Sequence, residues 1–158
     1  MRTLIEILAG LAILATAVIY GTDVFGAIVQ RPALAAVDDR TLTQVMGHIH
    51  RVADRRLAVI SISGLVISAV TAVVAAATGR WVSTAGAALA AVALVIFAVI
   101  YTRVSKPVNK ALTAAAVVAR VPDNARELQA RWDSVINGRV ALQTLALAAL
   151  CVALAAAR

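Results

Sequence analysis

This sequence of 158 residues has one cysteine, three prolines, few aromatic residues (4%) and few charged ones (15%). The single cysteine, Cys151, excludes a disulfide within the chain, and it is predicted to be a small buried apolar residue. An ordinary globular chain carries about 25% charged residues, and a disordered chain needs many charges and few apolar residues. The composition therefore excludes a disordered chain. It also speaks against a water-soluble globule.

The formal net charge is +7, which by itself suggests a nucleic-acid partner. Aromatic residues are scarce, however, no long basic run is present, and the charges stand between apolar blocks. Nucleic acid is therefore not expected as a partner. A basic membrane protein is the simpler explanation of the charge.

Hydrophobic residues make up 62% of the chain, and they are concentrated in long runs. Crossing a bilayer takes roughly 20 mostly apolar helical residues. Three uncharged blocks have about this length, and a fourth carries one charge, Asp23. The runs are continuous rather than alternating, which excludes a β-barrel. We predict an all-α bundle of four transmembrane helices, with amphipathic connecting helices, in a single membrane domain over residues 1–158. The spans are predicted at about 7–29, 57–78, 82–102 and 140–157.

The two long connections also carry helical signals. In 37–56, apolar residues recur at helical spacing after Asp38-Asp39, which predicts a helix start. In 106–135, the run Pro122-Asp123-Asn124 predicts a break, with Asn124 as the N-cap of a helix that begins at Ala125. Both connections are predicted to be amphipathic helices that extend or cap the bundle. No internal repeat is visible in the sequence.

The basic residues predict an orientation. Twelve of the 15 lysines and arginines lie in the two long connections. The positive-inside rule then puts both connections in the cytoplasm and both termini outside. Alanine and arginine are abundant and lysine is scarce, which is typical of a GC-rich bacterial genome. The predicted location is therefore the bacterial cytoplasmic membrane.

Ionisable residues inside spans are costly and are functional candidates by default. Thr16, Tyr20 and Asp23 follow one another at spacings of four and three, so they share a helix face. One interpretation is a polar pocket near a membrane surface. The other is that Asp23 reaches water at the interface or pairs with an arginine.

His50 and Asp54 share a helix face for the same reason, and the face continues through a stripe of small and hydroxyl residues (Leu57, Ser61, Gly64, Ser68, Thr71). Such a stripe favours close helix packing. At its end, His50 and Asp54 form a candidate site for a proton, a metal or a substrate carbonyl. His48 lies about 200° around a regular helix from His50. The two histidines are therefore only a weak signal for a metal, neither is assigned as a ligand, and the cofactor is left open.

A third group of polar residues precedes the last span. Trp132, Arg139 and Gln143 share one face, and Asn137 lies on a neighbouring face. Asn109 follows the third span. Basic residues in this place are typical of a rim that binds lipid headgroups. Trp132, Asn109 and Asn137 gain little from headgroup charge, so a ligand site is the second interpretation.

Three elements resemble the small four-helix membrane family that contains the anthrone oxygenases of polyketide pathways. They are Val24-Phe25-Gly26 with Arg31-Pro32-Ala33-Leu34, then Pro107-Val108-Asn109-Lys110-Ala111-Leu112, and then Trp132 with Asn137 and Arg139. The similarity extends over nearly the whole chain. Asn137 stands two residues before Arg139, whereas the family often places its Asn or His three residues before.

The resemblance implies the oxidation, by dioxygen, of an activated methylene on a hydrophobic aromatic or quinone-like molecule. Such chemistry needs a base, donors for an oxyanion and a flat apolar slot. His50, oriented by Asp54, is the candidate base, and Arg139 and Asn109 are the candidate oxyanion donors. Trp132 is expected to stack on the ring. The other candidate substrate-binding residues are Asp23, Tyr20 and Asn137.

Two non-enzymatic hypotheses stay open. One is a membrane subunit that binds lipid or stabilises a larger membrane complex, which short loops and alanine-rich spans suit equally well. The other is a small transporter, which four spans favour less because a path would need several copies. Membrane lipid, a hydrophobic small molecule, and further copies or subunits are thus the candidate partners. A buried pocket at Asp23, His50 or Arg139 would favour the enzyme.

Overall fold

A computed structural model describes residues 1–157 as four long helices, and no strand occurs among these residues. The helices cover Arg2–Ala35, Asp39–Ala77, Trp81–Val117 and Ala125–Ala156. Each is long and apolar enough to cross a membrane. The predicted all-α bundle of four membrane-spanning helices, with helical connections, is therefore confirmed.

Two of the long helices are interrupted. The first consists of α1 (Arg2–Phe25), a π-helical segment π1 (Gly26–Gln30) and α2 (Arg31–Ala35). The third consists of α4 (Trp81–Ile100), a π-helical segment π2 (Tyr101–Ser105) and α5 (Lys106–Val117). The second and fourth are the unbroken α3 (Asp39–Ala77) and α6 (Ala125–Ala156).

A proline follows each π-helical segment and explains it. Pro32 and Pro107 are the second residues of α2 and α5. Proline has no N–H and its ring collides with the carbonyl four residues back, so the preceding turn widens. The two halves of the chain therefore share one layout, an interrupted helix followed by an unbroken one. This repeat is not visible in the residue pattern, because it rests on little more than the two prolines.

The helix starts agree with the sequence. Asp38 caps α3, since its carboxylate accepts a hydrogen bond of 2.6 Å from the backbone N–H of Thr41. This bond holds the pKa of the Asp38 carboxyl below its usual value of 3.8. Helix α6 begins at Ala125, as predicted, although the side chain of Asn124 makes no capping bond.

Two helices end in the same type of turn. After α3, the backbone N–H groups of Gly79 and Arg80 donate to the carbonyls of Ala76 and Ala75, with Gly79 at a φ of +70°. This is a Schellman motif, which needs a left-handed residue. After α5 the same bonds form around Ala119 at a φ of 52°. An alanine in this conformation is strained.

Small residues bring the helices close together. A Cβ on Gly47 would collide with the Leu112 carbonyl and the Ala116 side chain, so α3 and α5 touch along their backbones. Gly64 of the predicted packing stripe lies against Thr16 of α1, and Ser68 and Thr71 are buried. The interpretation of this stripe as a packing surface is thus confirmed.

The core is alanine-rich at mid-bundle and bulkier at the end that carries the long connections. The bulky cluster lies among α2, α3, α5 and α6 and contains Leu34, Leu42, Met46, Val108, Leu112, Trp132 and Ile136. Many large apolar side chains point outward, including Leu14, Val59 and Val73, which gives a surface suited to lipid. Cys151 is also exposed, contrary to the predicted burial, because it lies on this outer face.

Candidate functional site

A buried ion pair lies at the centre of the polar residues. Arg139 of α6 donates from Nε to Asp23 Oδ2 (3.1 Å) and from Nη2 to Asp23 Oδ1 (2.6 Å). Its Nη1 donates to Ser105 Oγ at 2.8 Å. Gln143 Nε2 donates to Asp23 Oδ2 at 2.7 Å. The side chains of Asp23 and Arg139 are 5% and 7% exposed. The group joins α1, π2 and α6.

Three aromatic rings surround the Arg139 guanidinium. Its carbon lies 5.2 Å from the ring centre of Phe97, 5.8 Å from that of Tyr101 and 5.4 Å from that of Trp132. Rings at this distance attract a cation through their quadrupole, more strongly where water is excluded. The guanidinium is therefore held by a carboxylate and by an aromatic surround.

Asp54 forms a second polar group on the other side of Tyr101. Its Oδ1 accepts hydrogen bonds of 2.8 Å from the Tyr101 hydroxyl and from Asn109 Nδ2. Within residues 1–157, Asp54 makes no hydrogen bond to His50. The orienting role predicted for Asp54 is therefore exerted on Tyr101 and Asn109.

His50 lies between the two groups. Only 5% of it is exposed, and its ring centre is 5.9 Å from that of Trp132, at a tilt of 44°. Its Nε2 is buried and has no hydrogen-bond partner among the described residues. A buried polar atom without a partner costs about 1–3 kcal/mol. The arrangement thus leaves a ring nitrogen available to a molecule that enters the cluster.

Three neighbours share this property. Trp132 Nε1, Asn109 Oδ1 and Gln143 Oε1 are also buried and, within residues 1–157, without partners. Each belongs to a side chain that contacts Arg139, Asp54 or Asp23. We call His50, Asn109, Trp132 and Gln143 the unpartnered set. It offers a ring nitrogen, an indole N–H and two amide oxygens within one buried region.

The structure brings together six of the eight predicted site residues: Asp23, His50, Asp54, Asn109, Trp132 and Arg139. Tyr20 is half-buried and makes no side-chain hydrogen bond in the described chain. Asn137 is exposed and, contrary to the prediction, does not lie on a face next to that of Arg139, because two residues along a helix correspond to about 200° of rotation. Asn137 therefore does not join the cluster, and its predicted substrate contact stays a prediction.

The sequence interpretation missed Phe97, Tyr101 and Ser105. Tyr101 and Ser105 stand just before Lys106-Pro107, so polar side chains at the end of the third span were a usable signal. Which way they face depends on the π-helical turn, and this turn was not predicted. Phe97 is one apolar residue in an apolar span and carries no signal.

Among residues 1–157, no group of three or more His, Cys, Asp or Glu side chains is placed to hold a metal ion. Searches against protein-family models, curated proteins and solved structures found no match to this chain. The resemblance to the anthrone oxygenases stays a prediction. The geometry of the cluster is therefore the basis of the functional argument.

Proposed function

We propose that this protein is a membrane-embedded oxygenase that binds a planar, weakly acidic aromatic or quinone-like molecule in the buried cluster. The observation that carries the proposal is the unpartnered set around Arg139. Natural proteins rarely leave buried polar atoms unpaired, and those that exist call for an explanation. A bound molecule with one acidic C–H or O–H group and one carbonyl would pair with a ring nitrogen and an N–H donor at once.

His50 is the proposed base. An imidazole with one free ring nitrogen accepts a proton from an activated methylene, and enclosure by apolar rings keeps water away from the anion that forms. Trp132 Nε1–H is the proposed donor to the developing oxyanion. Asn109 Nδ2 already donates to Asp54, so we propose its free Oδ1 as an acceptor instead.

Arg139 contributes charge more than hydrogen bonds. Guanidinium has five N–H donors, and three of them are used on Asp23 and Ser105. Its positive charge still lies next to the ring of Trp132 and favours an anion there.

The proposed reaction converts a methylene and dioxygen to a carbonyl and water. One oxygen atom enters the product, the other leaves as water, and dioxygen is the oxidant.

Oxygen uptake with anthrone as the probe tests this proposal. We expect purified protein in nanodiscs to consume one dioxygen per anthrone and to form the quinone absorbance. Loss of a general base typically costs 10²–10⁴-fold in rate, so His50→Gln should slow turnover by about that factor. His48→Gln is the matched control, because His48 is exposed on the same helix. A rate equal to that of protein-free buffer, or equal rates for the two variants, would overturn the proposal.

A binding measurement separates recognition from turnover. The chain has two tryptophans, and Trp81 lies at the start of α4, away from the cluster. In a Trp81→Phe background, Trp132 is the only source of tryptophan fluorescence. We expect anthrone to quench it saturably. Saturable quenching without oxygen uptake would identify a binding protein rather than an oxygenase.

A second candidate is a non-enzymatic subunit of a membrane complex. It is favoured by one observation, that Asp23 and Arg139 satisfy each other and tie α1 to α6. A cluster that only holds the bundle together would show no quenching by anthrone. It would also co-purify with other subunits under mild detergent.

We further propose a place in the bacterial cytoplasmic membrane with both termini outside. The support is the concentration of basic residues in the two long connections. Cysteines introduced at Thr3 and Asp123 of a Cys151→Ser variant test it. Membrane-impermeant reagent added to whole cells should label the first position only.

A further inference from the structure

A surface cavity of about 190 Å³ lies between α2 and the first turns of α6. Its apolar wall is formed by Leu34, Ala35 and Ala130, and its polar wall includes Arg31, Gln129 and Asp133. A cavity of this size holds several water molecules or a small polar headgroup. It is separate from the unpartnered set, so a ligand bound here would be independent of the proposed oxidation.

Arg126 also lines the cavity, but all three of its guanidinium nitrogens already donate hydrogen bonds within the protein. Its Nε donates to Asp39 at 2.6 Å, and its Nη1 donates to the Leu34 carbonyl at 2.9 Å. Its Nη2 donates to the Val37 carbonyl. These bonds close the turn between α2 and α3, so Arg126 is a structural residue here.

Apart from Arg126, the charged residues that line the cavity are Arg31 and Asp133. Within residues 1–157, Arg31 makes no ion pair. Asp133 accepts one hydrogen bond, from Gln129 Nε2 to Oδ1 at 3.0 Å, which leaves Oδ2 open. Gln129 is 5% exposed, and its Oε1 has no partner among these residues. Within the described residues, the cavity therefore presents one cation without an ion-pair partner and one open carboxylate oxygen.

The predicted spans place this cavity at the depth of lipid headgroups. Arg31 follows the end of the first apolar span at Val29 by two residues, and Asp133 precedes the start of the fourth at Val140 by seven. At 1.5 Å per residue these offsets are about 3 Å and 10 Å. The headgroup layer on each side of the hydrocarbon core is about 5–8 Å thick. Arg31 thus lies within that layer, and Asp133 lies just beyond its outer edge.

We propose that this cavity binds a phosphoethanolamine group, with the phosphate on Arg31 and the ammonium on Asp133. A ligand with only negative charge is disfavoured by the Asp133 carboxylate. A choline headgroup carries the same net charge but has no N–H to donate to Asp133 Oδ2. An ethanolamine ammonium has three N–H donors and satisfies this acceptor.

Native mass spectrometry from nanodiscs tests the proposal. Equal mixtures of phosphatidylethanolamine, phosphatidylcholine and phosphatidylglycerol would be supplied, and the lipids retained after detergent release would be counted. We expect phosphatidylethanolamine to be retained about tenfold over the other two, the effect of one charge-assisted hydrogen bond. Equal retention of the three, or a preference for phosphatidylglycerol, would refute the proposal.

Paired variants assign the two ends of the headgroup. Asp133→Asn should abolish the preference for ethanolamine over choline, whereas Glu127→Gln, an exposed acid on the same helix, should keep it. Arg31→Gln should lower retention of all phospholipids, and the exposed Arg131→Gln should not. An unchanged preference in Asp133→Asn would overturn the assignment.

Competition with soluble O-phosphoethanolamine distinguishes a phospholipid ligand from a free headgroup ligand. If this compound displaces the lipid at equal concentration, the ligand is the free headgroup rather than the phospholipid.

Discussion

Replacing Asp23 or Arg139 with an apolar residue leaves the other charge buried without its partner. Both side chains are almost completely buried, and two of the hydrogen bonds of Arg139 go to Asp23. Removing one member of a buried pair costs about 3–5 kcal/mol. We therefore expect Asp23→Leu and Arg139→Met each to lower the free energy of unfolding by about that amount.

The double variant shows whether charge causes this loss. With both residues apolar, no charge is left in the core, and such replacements are often neutral or stabilising. Gln143 Nε2 does lose its acceptor on Asp23, which costs about 1–3 kcal/mol. The double variant should therefore be more stable than either single variant.

Reversible unfolding in mixed micelles of increasing dodecyl sulfate content, followed by circular dichroism, measures these free energies. Arg131→Met is the matched control, because Arg131 is exposed on the same helix. It should change the free energy of unfolding by less than about 0.5 kcal/mol. If the loss in the double variant equals the sum of the two single losses, the two residues are not coupled and the reasoning is wrong.

Three further variants test a close helix contact, a left-handed backbone position and a helix cap. Gly47→Ala should lower the free energy of unfolding by about 1–3 kcal/mol, because the added Cβ collides with Leu112 and Ala116. Ala119→Gly should raise it by about 1 kcal/mol, since glycine adopts the left-handed conformation without strain. Asp38→Ala should lower the thermal midpoint at neutral pH by removing the cap of α3. The pKa of Asp38 is lowered in the folded state, so its carboxylate stabilises the fold above pH 3.8. That stabilisation is lost as the pH falls through the folded pKa.

Each of these changes has a matched control. Gly138 has open space around it, so Gly138→Ala should be neutral or stabilising. Ala114 is exposed in α5, so Ala114→Gly should destabilise, opposite in sign to Ala119→Gly. Asp123 is exposed and caps no helix, so Asp123→Ala should leave the thermal midpoint unchanged. A variant that behaves like its control, or an Asp38 effect that persists well below pH 3.8, would contradict the corresponding argument.

The helices could be predicted because their signals are local. A run of about 20 apolar residues indicates a span wherever it occurs, and the starts at Asp39 and Ala125 follow from polar or proline-containing residues just before them. The interruptions at Gly26–Gln30 and Tyr101–Ser105 were not predicted. A proline usually predicts a break or a kink, and here the widened turn lets the helix continue.

The candidate site could be predicted only in part. Rare polar residues next to spans identified Asp23, His50 and Arg139, because burying such groups is costly wherever it happens. Their pairing could not be predicted, since helical spacing relates residues on one helix and says nothing about which faces meet. Asp54 illustrates that helical spacing does not predict contacts between helices. Its neighbour by spacing is His50, but its hydrogen bonds come from π2 and α5.

The shared layout of the two halves has a topological consequence. Each half contains two membrane-length helices, an even number, so in a bilayer crossed by all four helices both halves would enter from the same side. Repeats of this kind are related by an axis along the membrane normal, whereas an odd number of spans would require inversion in the membrane plane. Duplication and fusion of a gene for one two-helix unit would therefore produce this fold without any change in the orientation of either copy.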